Sequence, residues 1–180
     1  MENPQEKRQR LYRLQAIILR RRDLGEADRL LTVFTRERGK LNLLAKGVRR
    51  AASRKAGHIE PFTYTDLLVA KGANLDLVTQ AETIEPHRRV REDLWLSSLA
   101  YYVVELADAF TQDEDPNALL FDWTLDTLRR LDAGEATNLA VRYYELHALD
   151  LAGYQPQFFH CVQCGKPLAP EVNFLSLERG

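Results

Sequence analysis

No apolar run in this chain approaches the ~18 residues that would span a bilayer, and no apolar stretch of signal-peptide length follows the charged start MENPQEKRQRLYR. A cytoplasmic protein with no membrane association is therefore expected. Cysteine is scarce, 2 in 180 residues. That number excludes a disulfide framework and directs attention to metal or redox chemistry. A phosphate-cradling glycine loop, an exposed-serine elbow and a His-Glu-x-x-His pair are all missing, and the 4 histidines form no cluster in sequence. Catalysis has no candidate residues, so no enzymatic activity is expected.

What the chain does have is charge of two signs in two places. The net charge is −1, yet residues 1–91 hold 20 Lys+Arg against 11 Asp+Glu, or +9, and residues 92–180 hold 5 against 15, or −10. Such asymmetry is the mark of a polyanion-binding part joined to a part with another task. The hydrophobic period changes at the same place, near Glu85-Pro86, which predicts two domains, 1–85 and 86–180.

Before that boundary, five short apolar-rich runs bounded by turn residues predict strands over Leu14–Arg22, Arg29–Thr35, Leu41–Lys46, Phe62–Lys71 and Leu75–Ile84. Arg36-Glu37-Arg38-Gly39 and Gly72-Ala73-Asn74 read as hairpin loops, each with a glycine free to take a positive φ. The intervening segment Gly47–Glu60 reads as a loop with a short helix. After Pro86 the period is helical. Trp95, Leu99, Tyr102, Leu106 and Phe110 share one predicted stripe, Phe121, Leu125 and Leu128 a second, and Leu139, Tyr143, Leu146 and Leu149 a third. Asp115-Pro116 is a suitable start for the second helix and Gly153 a suitable stop for the third. The fold class expected is α+β: a five-stranded OB-fold barrel, an architecture that commonly binds oligonucleotides, followed by an α-helical domain and a cysteine-bearing segment.

The densest chemical signal is a series of 8 cations in 20 residues, Arg36, Arg38, Lys40, Lys46, Arg49, Arg50, Arg54 and Lys55, interrupted by a single acid, Glu37. Cations along one loop and its flanking strand can displace condensed counterions from successive phosphates, which sets affinity without reading bases. Arg20, Arg21 and Arg22 end the first predicted strand and would extend that track. Phe34, Phe62 and Tyr64 lie on predicted strands and are expected in the core rather than as stacking platforms for bases. Asp108, Asp113, Glu114 and Asp115 read as a solvated helix end and an N-cap, not a metal site.

Cys161-Val162-Gln163-Cys164 resembles one knuckle of a zinc ribbon. Structural zinc wants four ligands, and neither His160 nor His147 is a convincing addition, so two free thiols stand beside zinc as alternative readings.

Taken in order, Gln15-Ala16-Ile17-Ile18-Leu19, Leu24-Gly25-Glu26-Ala27-Asp28-Arg29-Leu30-Leu31, Gly39-Lys40, Ala45-Lys46-Gly47-Val48-Arg49-Arg50 and the cysteine knuckle resemble the RecO family of recombination mediators. The resemblance implies an N-terminal OB-fold, a helical C-terminal domain and, in many members, a four-cysteine zinc site to which Cys161 and Cys164 would contribute. It implies binding of single- and double-stranded DNA through the Gly39–Lys55 segment and annealing of complementary strands. It further implies partnership with single-strand-binding protein, with RecR and in some organisms RecF, in loading RecA, and a place at the bacterial nucleoid. An anionic tail of a protein partner would have Arg129, Arg130 and Arg142 available in the acidic half. A protein-interaction adaptor for an acidic partner and an RNA-binding barrel are the competing readings of the same charge pattern.

Overall fold

The computed structural model describes residues 11–154 and 157–174. Five strands, β1 (Leu11–Leu24), β2 (Asp28–Thr35), β3 (Gly39–Ala45), β4 (Tyr64–Ala70) and β5 (Asp76–Glu85), close a barrel in the order β1-β2-β3-β5-β4. β1 pairs antiparallel with both β2 and β4, and closure comes from a short parallel contact of β3 with β5 at Leu43↔Asp76 and Leu44↔Leu77. This is an OB-fold. A single 3-10 turn, Ala56–His58, lies in the segment between β3 and β4.

β1 shows why the barrel does not stand alone. Successive side chains of a strand point to opposite faces, so Ala16 and Ile18 fill the barrel while Ile17 and Leu19 face outward, yet all four are buried. The outward pair joins Phe34 in a second apolar cluster supplied by the helices α1 (Arg88–Glu92), α2 (Leu94–Ala109), α3 (Ala118–Ala133) and α4 (Thr137–Leu151). Phe34 meets Phe121 of α3 edge-on, with ring centroids 5.6 Å apart. Barrel and helices therefore share a core.

Several expectations are corrected at the level of individual residues. β1 is longer than Leu14–Arg22 at both ends, and β4 starts at Tyr64, not Phe62. Phe62 instead has a positive φ of 68° and is tied to β1 by its N–H, which donates to the Ile18 carbonyl at 2.9 Å. Helix α3 is capped by Asn117, whose side chain accepts from the Leu120 N–H at 3.0 Å, so Asp115-Pro116 lies before the helix. α1 had no apolar stripe to announce it.

The Phe121, Leu125 and Leu128 stripe of α3 is buried; of the α2 stripe Leu99, Leu106 and Phe110 pack against the core at its edge, while the most buried line of α2, and that of α4, lies beside the stripe drawn. α2 buries Leu96, Ala100, Val103, Val104 and Ala107, leaving Trp95 58% exposed. α4 buries Ala140, Val141, Tyr144 and Ala148, leaving Leu139 69% exposed. In both helices alanines share the buried face with larger residues, and two adjacent apolar stripes satisfy the same spacing. The chain turns out of α4 at Gly153, with φ 80°.

Candidate nucleic-acid interface

The segment after β3 is held to the barrel by its backbone, which leaves its cations outside. Gly47 donates its N–H to Asp28 Oδ1 at 2.7 Å, and the Arg49 N–H donates to the Ala27 carbonyl at 2.9 Å. Val48, between them, is buried in the barrel core. Lys55 ties the other end, donating from Nζ to the carbonyls of Val78 (2.8 Å) and Lys46 (3.2 Å), and partial burial pushes its ammonium below the usual lysine range. Lys46, Arg50 and Arg54 are exposed and have no ion-pair partner among the described residues. Arg49 is half-committed: its Nη1 donates to the Gly25 carbonyl at 3.2 Å and its Nε lies 3.4 Å from Asp23. Arg29, with Arg49 beside it, holds the Asp23 carboxyl below its ordinary value of 3.8.

The remaining cations proposed from sequence are placed differently. Arg20 and Lys40 both bind Asp108 of α2 at 2.9 Å, and Arg36 binds Asp122 of α3 at 2.9 Å. Lys40 is the most enclosed of them, 14% exposed, and also donates to the carbonyls of Asp108 (2.9 Å) and Thr111 (3.0 Å) at the C-terminal end of α2. A cation there satisfies carbonyls that have no partner within the helix. Asp113 stands 3.8 Å from Lys40 and accepts from Asn42 Nδ2 at 3.3 Å. Of the acids read as a solvated helix end, Asp108 and Asp113 are thus counter-charges of the barrel. Arg21 pairs with Glu60. Arg38 is exposed and lies 4.6 Å above the ring of Tyr12, an aromatic that the sequence reading missed. Burial and the Asp76 carboxylate push the Tyr12 phenol up to about 12, so it stays protonated and donates to Asp76 at 2.5 Å.

Phe34 and Phe62 are fully buried, and Tyr64 is half-buried with its hydroxyl on Gln15 at 2.6 Å. None of the three offers a face to a base.

Cys161 and Cys164 form the expected knuckle. The Gly165 N–H donates to the Cys161 carbonyl at 2.8 Å, and the amides of Cys164 and Gln163 lower the Cys161 thiol below its ordinary 9.0. These two thiols supply only half of a tetrahedral zinc site, and among the described residues no group of three or more His, Cys, Asp or Glu could hold a metal. The donor set at hand does not by itself fit zinc.

Comparison with known proteins covers most of the chain. The family profile Recombination protein O N terminal matches residues 9–87, and Recombination protein O C terminal matches residues 91–177. The chain is 47% identical over 169 residues to the DNA repair protein RecO of Roseiflexus sp. (strain RS-1), an alignment covering 94% of the chain and 59% of the relative. It is 37% identical over 169 residues to the DNA repair protein RecO of Dehalococcoides mccartyi (strain ATCC BAA-2266 / KCTC 15142 / 195), covering 94% and 67%. For the DNA repair protein RecO of Pelotomaculum thermopropionicum (strain DSM 13744 / JCM 10971 / SI) the values are 42% over 167 residues, 93% and 65%. The chain spans about three fifths to two thirds of the length of these relatives.

Proposed function

The chain belongs to the RecO family, and from that premise we propose that it is a DNA-binding protein of recombination repair that grips the phosphate backbone through the loop following β3. The observation that carries this reading is the set Lys46, Arg49, Arg50 and Arg54, projected from a backbone-anchored loop. Arg22 and Arg38 are exposed on the same barrel and add to the field. These groups meet phosphates, and among the described residues Phe34, Phe62 and Tyr64 offer no stacking platform beside them, so binding is independent of sequence.

Screening of phosphates on one surface also lets two complementary strands approach, and this supports a role in annealing single strands and in binding duplex. By the same family premise, the partners are RecR, single-strand-binding protein and, in some settings, RecF, with delivery of RecA to covered single strands as the outcome. We read the knuckle as two ligands of a zinc site completed by other residues. The chemistry assigned to the loop is binding, not bond making or breaking. Titration of a fluorescent oligo-dT against salt tests the reading. With about six phosphates engaged, log affinity falls with log salt at a slope near −4, and a flat response refutes it.

A further inference from the structure

We infer that Arg91, in the cleft between the barrel and α2 that it lines with the ion-paired Arg20 and Arg21, seats one backbone phosphate of a bound single strand and so carries the phosphate track from the loop onto the helical half. The inference rests on the DNA-binding reading above.

The cleft has a volume of about 310 Å³, and its walls include Arg20, Arg21, Glu60, Phe62, Arg91 and Tyr101. Three guanidiniums face one carboxylate there. The carboxylates that reach the first two are already shared, Asp108 between Arg20 and Lys40, and Glu60 between Arg21 and Arg29 at 3.7 Å. Neither makes an ion pair with Arg91. The Arg91 Nε is buried and has no hydrogen-bond partner among the described residues. A buried polar group of this kind costs stability unless a ligand or water satisfies it, and a guanidinium presents its donors as a fork that matches a phosphate. Tyr101, half-exposed and edge-on to Phe62 with centroids 4.7 Å apart, forms an apolar wall beside it.

Continuity with the loop read as DNA-binding favours a nucleic-acid phosphate, and a carboxylate peptide is the alternative outcome of the test below. Arg49 touches Asp23, Asp23 touches Arg29, Arg29 reaches Glu60, and Glu60 binds Arg21 at the cleft. A row of alternating charges, with cations in the majority, therefore joins the exposed loop to the cleft along the β1–β2 hairpin. A polyanion long enough to run between loop and cleft engages both ends.

The test compares the whole chain with Arg91→Gln and Arg91→Lys in salt titrations against oligo-dT. Loss of one single-strand phosphate contact predicts about fivefold weaker binding at 100 mM salt and a slope about 0.7 shallower for Arg91→Gln, with the slope kept in Arg91→Lys. Unchanged affinity and slope in Arg91→Gln, while charge reversal in the loop still abolishes binding, overturns the cleft and leaves the loop reading intact. Failure of the unaltered chain to bind removes both. Loss of binding to a labelled hexaglutamate peptide in Arg91→Gln, with DNA binding untouched, also overturns the inference in favour of a protein ligand. Should circular dichroism show Arg91→Gln to be unfolded, Tyr101→Glu at the cleft mouth replaces it. A several-fold weakening is then expected, and an unchanged affinity refutes the proposal.

Discussion

Two sets of cations within residues 20–55 look alike in sequence and live in different surroundings. Lys46, Arg50 and Arg54 stand on a loop that the barrel holds by its backbone, by Val48 and by Lys55, so their charges face solvent. Arg20, Arg36 and Lys40 stand on strand or hairpin positions beside the helices, and each has a carboxylate from the acidic half at 2.9 Å. Part of the charge asymmetry between the halves is thus spent inside the molecule, joining barrel to helices. The lesson is that a basic cluster divides by what lies beside it: cations next to the acidic helices become ties, and Lys46, Arg50 and Arg54 on the anchored loop stay available.

The largest effect that would break this contrast lies at the seam itself. Gly39 has φ 67°, and a β-carbon there would sit 2.2 Å from the Asp115 carbonyl oxygen. Gly39→Ala is therefore expected to destabilise the fold by about 3 kcal/mol or more, read from urea denaturation; a change below ~1 kcal/mol would show that the loop before α3 does not press on β3. Next comes the loop. Arg49→Glu with Arg50→Glu should weaken single-strand binding on the order of 100-fold at low salt while leaving the melting temperature close to that of the parent, and equal losses of both would erase the distinction.

Lys40→Met should do the reverse. It removes an ammonium from two carbonyls and a carboxylate, costing about 2 kcal/mol of stability, with DNA affinity expected within about twofold in a filter-binding assay. A smaller effect comes from Glu85, whose hydrogen bond from Arg129 (2.8 Å) holds its carboxyl below the ordinary 4.5. Because the folded value is the lower one, the contribution is complete above the unfolded value and is lost as pH falls through the folded value. The melting difference between the parent and Glu85→Gln, worth at most about 1 kcal/mol, should hold at pH 6 and vanish in acid. Smallest of all, Cys161→Ser with Cys164→Ser should leave loop binding of oligo-dT within about twofold, since the knuckle touches neither set of cations; a large loss would join it to the interface.

Much of the fold was legible because it depends on local pattern. The five strands, the hairpin at Gly39 and the Phe121 stripe all follow from period and turn chemistry. Gly72 was anticipated for the wrong reason: its φ is not among the positive ones, and glycine is needed because a β-carbon would meet the Leu75 carbonyl oxygen at 1.9 Å. The misplaced faces of α2 and α4 have one cause. Trp95, Tyr102, Leu139 and Tyr143 form stripes as apolar as the true ones, and only the neighbours decide which is covered. For the site, the loop cations were visible as a cluster, whereas Arg91 and Tyr12 carried no signal because the residues around them, Arg20 and Arg21 for the first and Asp76 for the second, lie far off in sequence.

By itself the sequence determined the elements, the OB-fold class, the family and the presence of a basic half, since each rests on residues near one another in the chain. Tertiary structure alone decided which cations remain free. That outcome depends on contacts between residues 68 to 88 positions apart, such as Lys40 with Asp108 and Arg20 with Asp108. A charge becomes a tie or a grip only when packing brings a counter-charge to it or keeps one away.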